Sequence, residues 1–341
     1  MIDPQDQKYS RQILFEPFGR EGQEHLRSSS AVLIGCGAIG AAAANLIVRA
    51  GIGRLRILDR DFVEPSNLQR QSLFTEADAR DSLPKAVAAE RALRAINSDA
   101  QVEGIVADLT PRNIADLLAG FPLILDGTDN FETRFLVNDF AVKTATPWIY
   151  AAAVASYGLT TAILPGKTPC LACLFDSAND TGLEQTCDTV GVLGPIVNVI
   201  ASLEVAEALK LLGKRDSALH HRLISCDIWT GHFRSLQMER NPDCPTCVHH
   251  EFAHLTGEAQ PHITMCGRDS VQIHERRRSL DLRLLQDRLT LTASHVRQNG
   301  YLLRFLAPPY EMTVFTDGRA IVKGTTDPAV ARSLYAKFIG A

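Results

Sequence analysis

An apolar run from Ala31 to Gly35 leads straight into Gly35-Cys36-Gly37-Ala38-Ile39-Gly40 and on into an Ala-, Leu- and Ile-rich stretch, Ala38 to Ala50. A strand that turns on glycines into a helix is the nucleotide-binding form of an α/β fold. Glycine lets the backbone come close to a phosphate. The next strand, Leu55 to Asp59, ends on an acid, where a ribose hydroxyl is taken. A nicotinamide enzyme needs little more. This chain adds Asn67-Leu68-Gln69-Arg70-Gln71 and then Lys85. Cationic groups beyond the ribose site favour a triphosphate over a dinucleotide.

Strand and helix patterns alternate after that start. Lys85 to Ile96 has helical spacing behind Pro84, Val102 to Ala107, Leu123 to Asp126 and Trp148 to Ala153 read as strands, and helices fall near Asn113 to Leu118 and Thr133 to Lys143. The pattern predicts a doubly wound, mostly parallel sheet, with ligands at the carboxyl ends of its strands. Asp59 and Asp129 should therefore face one crevice. Gly158 to Leu164 and Leu223 to Gln237 read as further strands, the latter a hairpin around Trp229-Thr230-Gly231. Between them Pro195 to Leu212 is an apolar helix whose face of Val199, Leu203, Ala206 and Leu209 is expected in the core or at a subunit contact. The polar stretch His249 to Pro261 marks a boundary. The division is a nucleotide-binding domain with a metal site over residues 1–250 and a small α+β domain over 262–341. In the latter, strands are expected at Val271 to Glu275, Leu302 to Leu306, Met312 to Phe315 and Ala320 to Lys323, with helices at Asp281 to Arg288 and Asp327 to Phe338.

A chain of 341 residues has room for one large and one small domain. A net charge of -4 gives no electrostatic basis for binding nucleic acid. Met1 to Asp6 lacks the basic and apolar regions of a signal peptide, and apolar runs such as Trp148 to Ser156 are too short for a bilayer, so the expectation is cytoplasmic, with no membrane partner. Eight cysteines in such a chain point to metal or catalysis rather than disulfides.

Four of them form two C-x-x-C pairs, Cys170/Cys173 and Cys244/Cys247. Four thiolates make a closed tetrahedral zinc site, which is structural, and the long gap means it would pin two distant segments together. Buried free thiols are the alternative. His249 and His250 are read as surface residues. Asp126-Gly127-Thr128-Asp129-Asn130 closes a strand. Asp129 there can hold Mg²⁺ against a triphosphate, or Asp129 or Asn130 can cap the following helix. Cys187, near the helix start at Pro195, is either an activated thiol or an inert one. Cys36 and Cys226 are read as core, and Cys266 has no assigned role. Arg11 is by itself a solvated charge.

Taken in order, Tyr9-Ser10-Arg11-Gln12, the glycine turn, Asp59-x-Asp61, Asn67 to Gln71, Pro84-Lys85, Thr128-Asp129-Asn130, both C-x-x-C pairs and the Gly191 to Pro195 turn resemble the ThiF/MoeB/HesA family, relatives of the ubiquitin-activating enzymes. The resemblance spans roughly residues 7–248. It implies a Rossmann-like sheet extended by antiparallel strands, and ATP-dependent adenylation of the C-terminal glycine of a ubiquitin-fold sulfur carrier ending in Gly-Gly, serving thiamine thiazole or molybdopterin synthesis. It implies ATP, Mg²⁺ and Zn²⁺ as cofactors. Gly35, Gly37, Ala38, Gly40, Asp59, Asn67 and Asn130 would meet the nucleotide, Arg70, Lys85 and Asp129 the phosphates, and Arg11 would reach across a homodimer. Cys187 joins the catalytic set, and a cysteine desulfurase or rhodanese-type protein is a further expected partner. A scaffold that only binds a ubiquitin-fold partner, and a nicotinamide oxidoreductase, are the rival readings. Family members often carry cysteine where Gly127 stands, a departure read as neutral, and the shortest lack the segment after Glu251.

Overall fold

The computed structural model describes residues 4–175, 190–257, 270–273 and 280–340. Two compact units divide the chain: residues 1–80 with 84–260, and residues 81–83 with 261–341.

The first unit is built on an eight-stranded sheet. Its parallel half contains β1 (Ser30–Ile34), β2 (Arg54–Asp59), β3 (Gln101–Val106), β4 (Ile124–Asp126) and β5 (Trp148–Val154), in the order β3-β2-β1-β4-β5. An antiparallel half follows, with β6 (Tyr157–Ile163), β7 (Arg222–Asp227) and β8 (His232–Gln237). Strands β1 and β4 are buried along nearly their whole length, as parallel strands covered on both faces must be. The connections include α1 (Ala38–Ala50), α2 (Lys85–Ile96) and α3 (Phe131–Thr144), and α4 (Gly194–Leu212) packs on α1. The run Ala41 to Ala44 in α1 is buried and offers only methyl groups, so the two helices approach closely.

Of the two places expected for the Val199, Leu203, Ala206 and Leu209 stripe, core or subunit contact, the core is taken by another face of α4. Ile196, Val197, Ile200, Ala201, Glu204, Val205 and Ala208 face the core. Val199, Leu203 and Leu209 are half-buried and Ala206 is exposed. The helix is apolar nearly all round, so periodicity alone does not choose a side.

The second unit is an antiparallel sheet of β9 (Ser270–Ile273), β10 (Ser294–Gln298), β11 (Leu302–Ala307), β12 (Tyr310–Phe315) and β13 (Ala320–Lys323), ordered β10-β11-β12-β13-β9. Helices α5 (Leu282–Leu289) and α6 (Pro328–Phe338) cover one face. Their Leu285, Leu289, Tyr335 and Phe338 pack with Phe305, Met312 and Val314. Asp281 and Asp327 cap the two helices through their side chains. Strand β10 was not anticipated. It is an edge strand, Ser-His-Val-Arg-Gln, broken by an irregularity in register, and it carries no apolar alternation.

Where α1 leaves β1, three glycines meet without side chains. A Cβ on Gly40 would stand 2.0 Å from the Gly35 carbonyl oxygen, and one on Gly127 would stand 2.1 Å from the same atom. Glycine at 127 therefore fits a contact that leaves no room for a side chain in this chain. Gly40→Ala should destabilise the protein by about 1–3 kcal/mol, the usual range for overpacking a tight contact, read as a lower urea midpoint. A parent-like midpoint would mean that α1 can move off the β1 turn.

Candidate active site

Strand register brings the carboxyl ends of β1, β2 and β4 together. Ile34 sits beside Leu58 on one side and Asp126 on the other. Gly35 N–H donates to the Leu58 carbonyl at 2.7 Å, and Gly127 N–H to the Ile34 carbonyl at 2.8 Å. Asp59 closes this corner. Its Oδ2 accepts the Cys36 N–H at 2.6 Å and its Oδ1 the Asp61 N–H at 2.7 Å, so the carboxylate shapes the glycine turn. Burial pushes its pKa up, against the pull of Lys85. Gly37 and Ala38 stand half-buried at the entry to α1.

The Asn67 to Gln71 segment lies on the same side. Asn67 ends a short 3-10 turn, Pro65–Asn67, and its Oδ1 accepts the Glu64 N–H at 3.1 Å. Its buried Nδ2 and the buried Oε1 of Gln71 have no hydrogen-bond partner among the described residues. Gln71 Nε2 lies 4.0 Å from where a Gly37 Cβ would stand, beside the glycine turn. Arg70 is half-buried, and its Nη1 donates to the Ser66 carbonyl at 2.9 Å. The start of α4 packs on this segment: a Cβ on Gly194 would stand 3.1 Å from the Gln69 carbonyl oxygen. Lys85, the first residue of α2, is buried, with Nζ 3.0 Å from Asp61 Oδ2. Its ammonium is matched by a carboxylate instead of standing open.

The loop after β4 divides two tasks between neighbours. Asn130 caps α3, its side chain accepting the Thr133 N–H at 2.8 Å. Asp129 is exposed; it accepts no N–H of the helix, and its Oδ1 accepts the Asn130 Nδ2 at 3.2 Å. A hard-cation ligand must offer such an oxygen, so the site fits Mg²⁺. Beneath it Asp126 is buried. Its Oδ1 accepts the Thr128 N–H at 2.9 Å and the Thr128 hydroxyl at 2.6 Å, and its Oδ2 accepts Arg134 Nε at 3.1 Å. Arg134 Nη2 donates to the Thr128 carbonyl at 2.7 Å and the Ala151 carbonyl at 3.0 Å. Burial opposes the Arg134 charge, but Asp126 outweighs it and raises the pKa. Arg60 is held ionised in the same way: Asp108, Asp61 and Asp129 outweigh its burial.

Away from the crevice, the Sγ atoms of Cys170, Cys173, Cys244 and Cys247 all lie within 4.8 Å of one another. Burial pushes the Cys173 thiol up to about 11, and burial with neighbouring sulfurs pushes Cys170 up too. Burial works the same way on Cys247, but hydrogen bonds from Arg240 and the other sulfurs outweigh it. Clustered thiolates need a cation, and four sulfurs at this spacing fit tetrahedral zinc. His249 and His250 are exposed, as expected. Cys36 and Cys226 are buried.

Arg11 does not join the crevice residues. It is exposed on a single helical turn, Ser10–Ile13, that its neighbours anchor: Tyr9 Oη accepts Asn97 Nδ2 at 2.8 Å, and Gln12 Nε2 donates to the Ala50 carbonyl at 3.0 Å. Cys187 and Cys266 lie outside the described residues. Sequence reasoning missed Arg60, Arg134 and Glu204. Arg134 stands four residues after the Asn130 cap, a spacing that turns its side chain back over the loop.

A model of the ThiF family matches residues 9–246. The sulfur carrier protein ThiS adenylyltransferase of Bacillus subtilis is 44% identical over 337 residues, 98% of this chain and 99% of that protein. The molybdopterin-synthase adenylyltransferase of Salmonella typhimurium is 35% identical over 248 residues, 72% of this chain and 98% of that protein. Among solved structures, Escherichia coli MccB with ATP superposes with a TM-score of 0.61 at 26% identity, covering 71% of this chain and 74% of that one. The chain belongs to the ThiF family.

Proposed function

We propose that this protein uses ATP to adenylate the C-terminal glycine of a ubiquitin-fold sulfur carrier, of the kind that serves thiamine thiazole or molybdopterin synthesis. Asp129 carries the reading: it is an exposed carboxylate released from capping by Asn130, at the strand ends where the glycine turn, Asp59 and the Arg70 segment converge. The full-length similarity to a ThiS adenylyltransferase supports it. A non-catalytic scaffold would not need Arg70, Lys85 and Asp129 together.

In this reading the glycine turn and Asp59 seat the nucleotide, with Asn67 and Gln71 offering buried polar atoms beside it. A carboxylate oxygen of the carrier attacks the α-phosphorus, the bond to the β-phosphate oxygen breaks, and acyl-adenylate and pyrophosphate form. Magnesium held at Asp129 would supply charge neutralisation for that leaving group. Arg70 and Lys85 add positive charge on the same side. A thiol or sulfur donor then displaces AMP, Cys187 being the candidate thiol of this chain. A second copy of the chain completes the site with Arg11. The anchored turn that presents it is followed by exposed Leu14 and Phe15, and the outer stripe of α4 offers Val199, Leu203 and Ala206 for such a contact. No helix among the described residues is long and apolar enough to cross a membrane, which accords with work in the cytoplasm.

Exchange of labelled pyrophosphate into ATP should depend on the carrier. Asp129→Ala should slow it by roughly a hundredfold to a thousandfold, the range for losing one transition-state stabilising group, while circular dichroism stays unchanged. Full exchange in that variant would remove Asp129 from the mechanism.

Zinc should be present at about one per chain, the stoichiometry of a closed four-sulfur site. Cys244→Ser should lose the metal and melt earlier, because metal binding is folding free energy. A folded, active preparation free of zinc would refute the site.

The 262–341 domain is proposed to dock partners and not to take part in the chemistry. The Salmonella relative is matched over 98% of its length by 248 residues of this chain, so it has no counterpart to this tail. Truncation after residue 258 should keep exchange at saturating carrier and lower it at limiting carrier. Loss at saturation, with a folded core, would give the tail a catalytic part.

A further inference from the structure

The end of β4 is fastened from below by a residue that the adenylation chemistry leaves unassigned. Glu204 lies on the core face of α4 and is fully buried. Its Oε1 accepts the Asp126 N–H at 2.9 Å, and no partner exists for Oε2 among the described residues. Asp126 in turn fixes Thr128 through two hydrogen bonds, and Arg134 ties the Thr128 carbonyl to that of Ala151. The hydrogen-bond chain thus runs from the middle of a 19-residue helix to the residue before Asp129.

Among the described residues Arg134 is the cation that attracts a Glu204 charge, and its pull is outweighed by burial and by Asp126. Arg134 donates its Nε to the Asp126 carboxylate. Asp126 itself repels a second negative charge. A buried carboxylate with one hydrogen bond would be strongly unfavourable. A neutral carboxylic acid keeps the acceptor that the Asp126 N–H needs. Burial first, and the Asp126 charge second, push the Glu204 pKa well up.

We propose that Glu204 is a positioning residue: a neutral carboxylic acid that, through Asp126 and Thr128, sets the place of the loop presenting Asp129 to the metal-nucleotide. The assignment deepens the adenylation reading and rests on it only for the identity of the nucleotide.

Calorimetric titration of ATP into the full-length protein, at several magnesium concentrations, tests it without requiring turnover. Glu204→Gln keeps shape, neutrality and acceptor, and should bind magnesium-ATP within about twofold of the parent. Glu204→Met fills the space but cannot accept. It should weaken magnesium-dependent binding roughly tenfold, the worth of one buried hydrogen bond, while magnesium-free ATP binding stays the same. The infrared spectrum of the parent should contain a protonated-carboxyl C=O band that Glu204→Gln lacks. Binding lost equally in both variants, parent-like binding in a folded Glu204→Met, or absence of that band would each overturn the assignment. If the methionine variant does not fold, the glutamine variant and the band still decide. Absence of pyrophosphate exchange in the parent would refute adenylation alone and leave these readings standing.

Discussion

One carbonyl oxygen, that of Gly35, organises the corner where the strand ends meet. The backbones of Gly40 and Gly127 crowd it so closely that neither position has room for a Cβ. Helix α1, strand β1 and strand β4 therefore meet main chain to main chain. That approach places the first turn of α1 and the loop after β4 on either side of one crevice. Asp59 then ties the glycine turn to β2 through the Cys36 N–H. Side chains farther out, Arg70, Lys85 and Asp129, gain their positions from this corner.

The parallel half of the sheet was legible because its signals are local and strong. Continuous apolar runs ended on glycine or acid, and Pro84 announced the helix starting at Lys85. The four-cysteine cluster was legible from spacing, since two C-x-x-C pairs have few other uses in such a chain. Sequence marked both Asp129 and Asn130 as capable of capping and could not apportion the task. The structure gives the cap to Asn130.

What was not legible depends on tertiary contact. Which face of α4 enters the core was not legible because an apolar helix carries too weak an asymmetry to choose a side. Glu204 was overlooked for a related reason, as its meaning comes from Asp126, 78 residues away. Lys85 was read as a cation for the phosphates, and only the fold shows that Asp61 lies beside it. Edge strand β10 has no apolar alternation and exists because β11 offers it a partner.

The sulfur cluster reaches beyond local stapling. Cys170 and Cys244 are 74 residues apart, and their Sγ atoms lie 3.6 Å from each other. Everything from the start of α4 to the end of β8 falls between those two cysteines. A metal bound by the cluster would close that span into a loop, and a cross-link of such length removes on the order of 4 kcal/mol of chain entropy from the unfolded state. Helix α4 and the β7–β8 hairpin would then be held at both ends. They would loosen only as a tethered loop, so refolding of this half would be a search within a short leash, and detachment of the helix beneath the Asp129 loop would track loss of that ion more closely than loss of nucleotide.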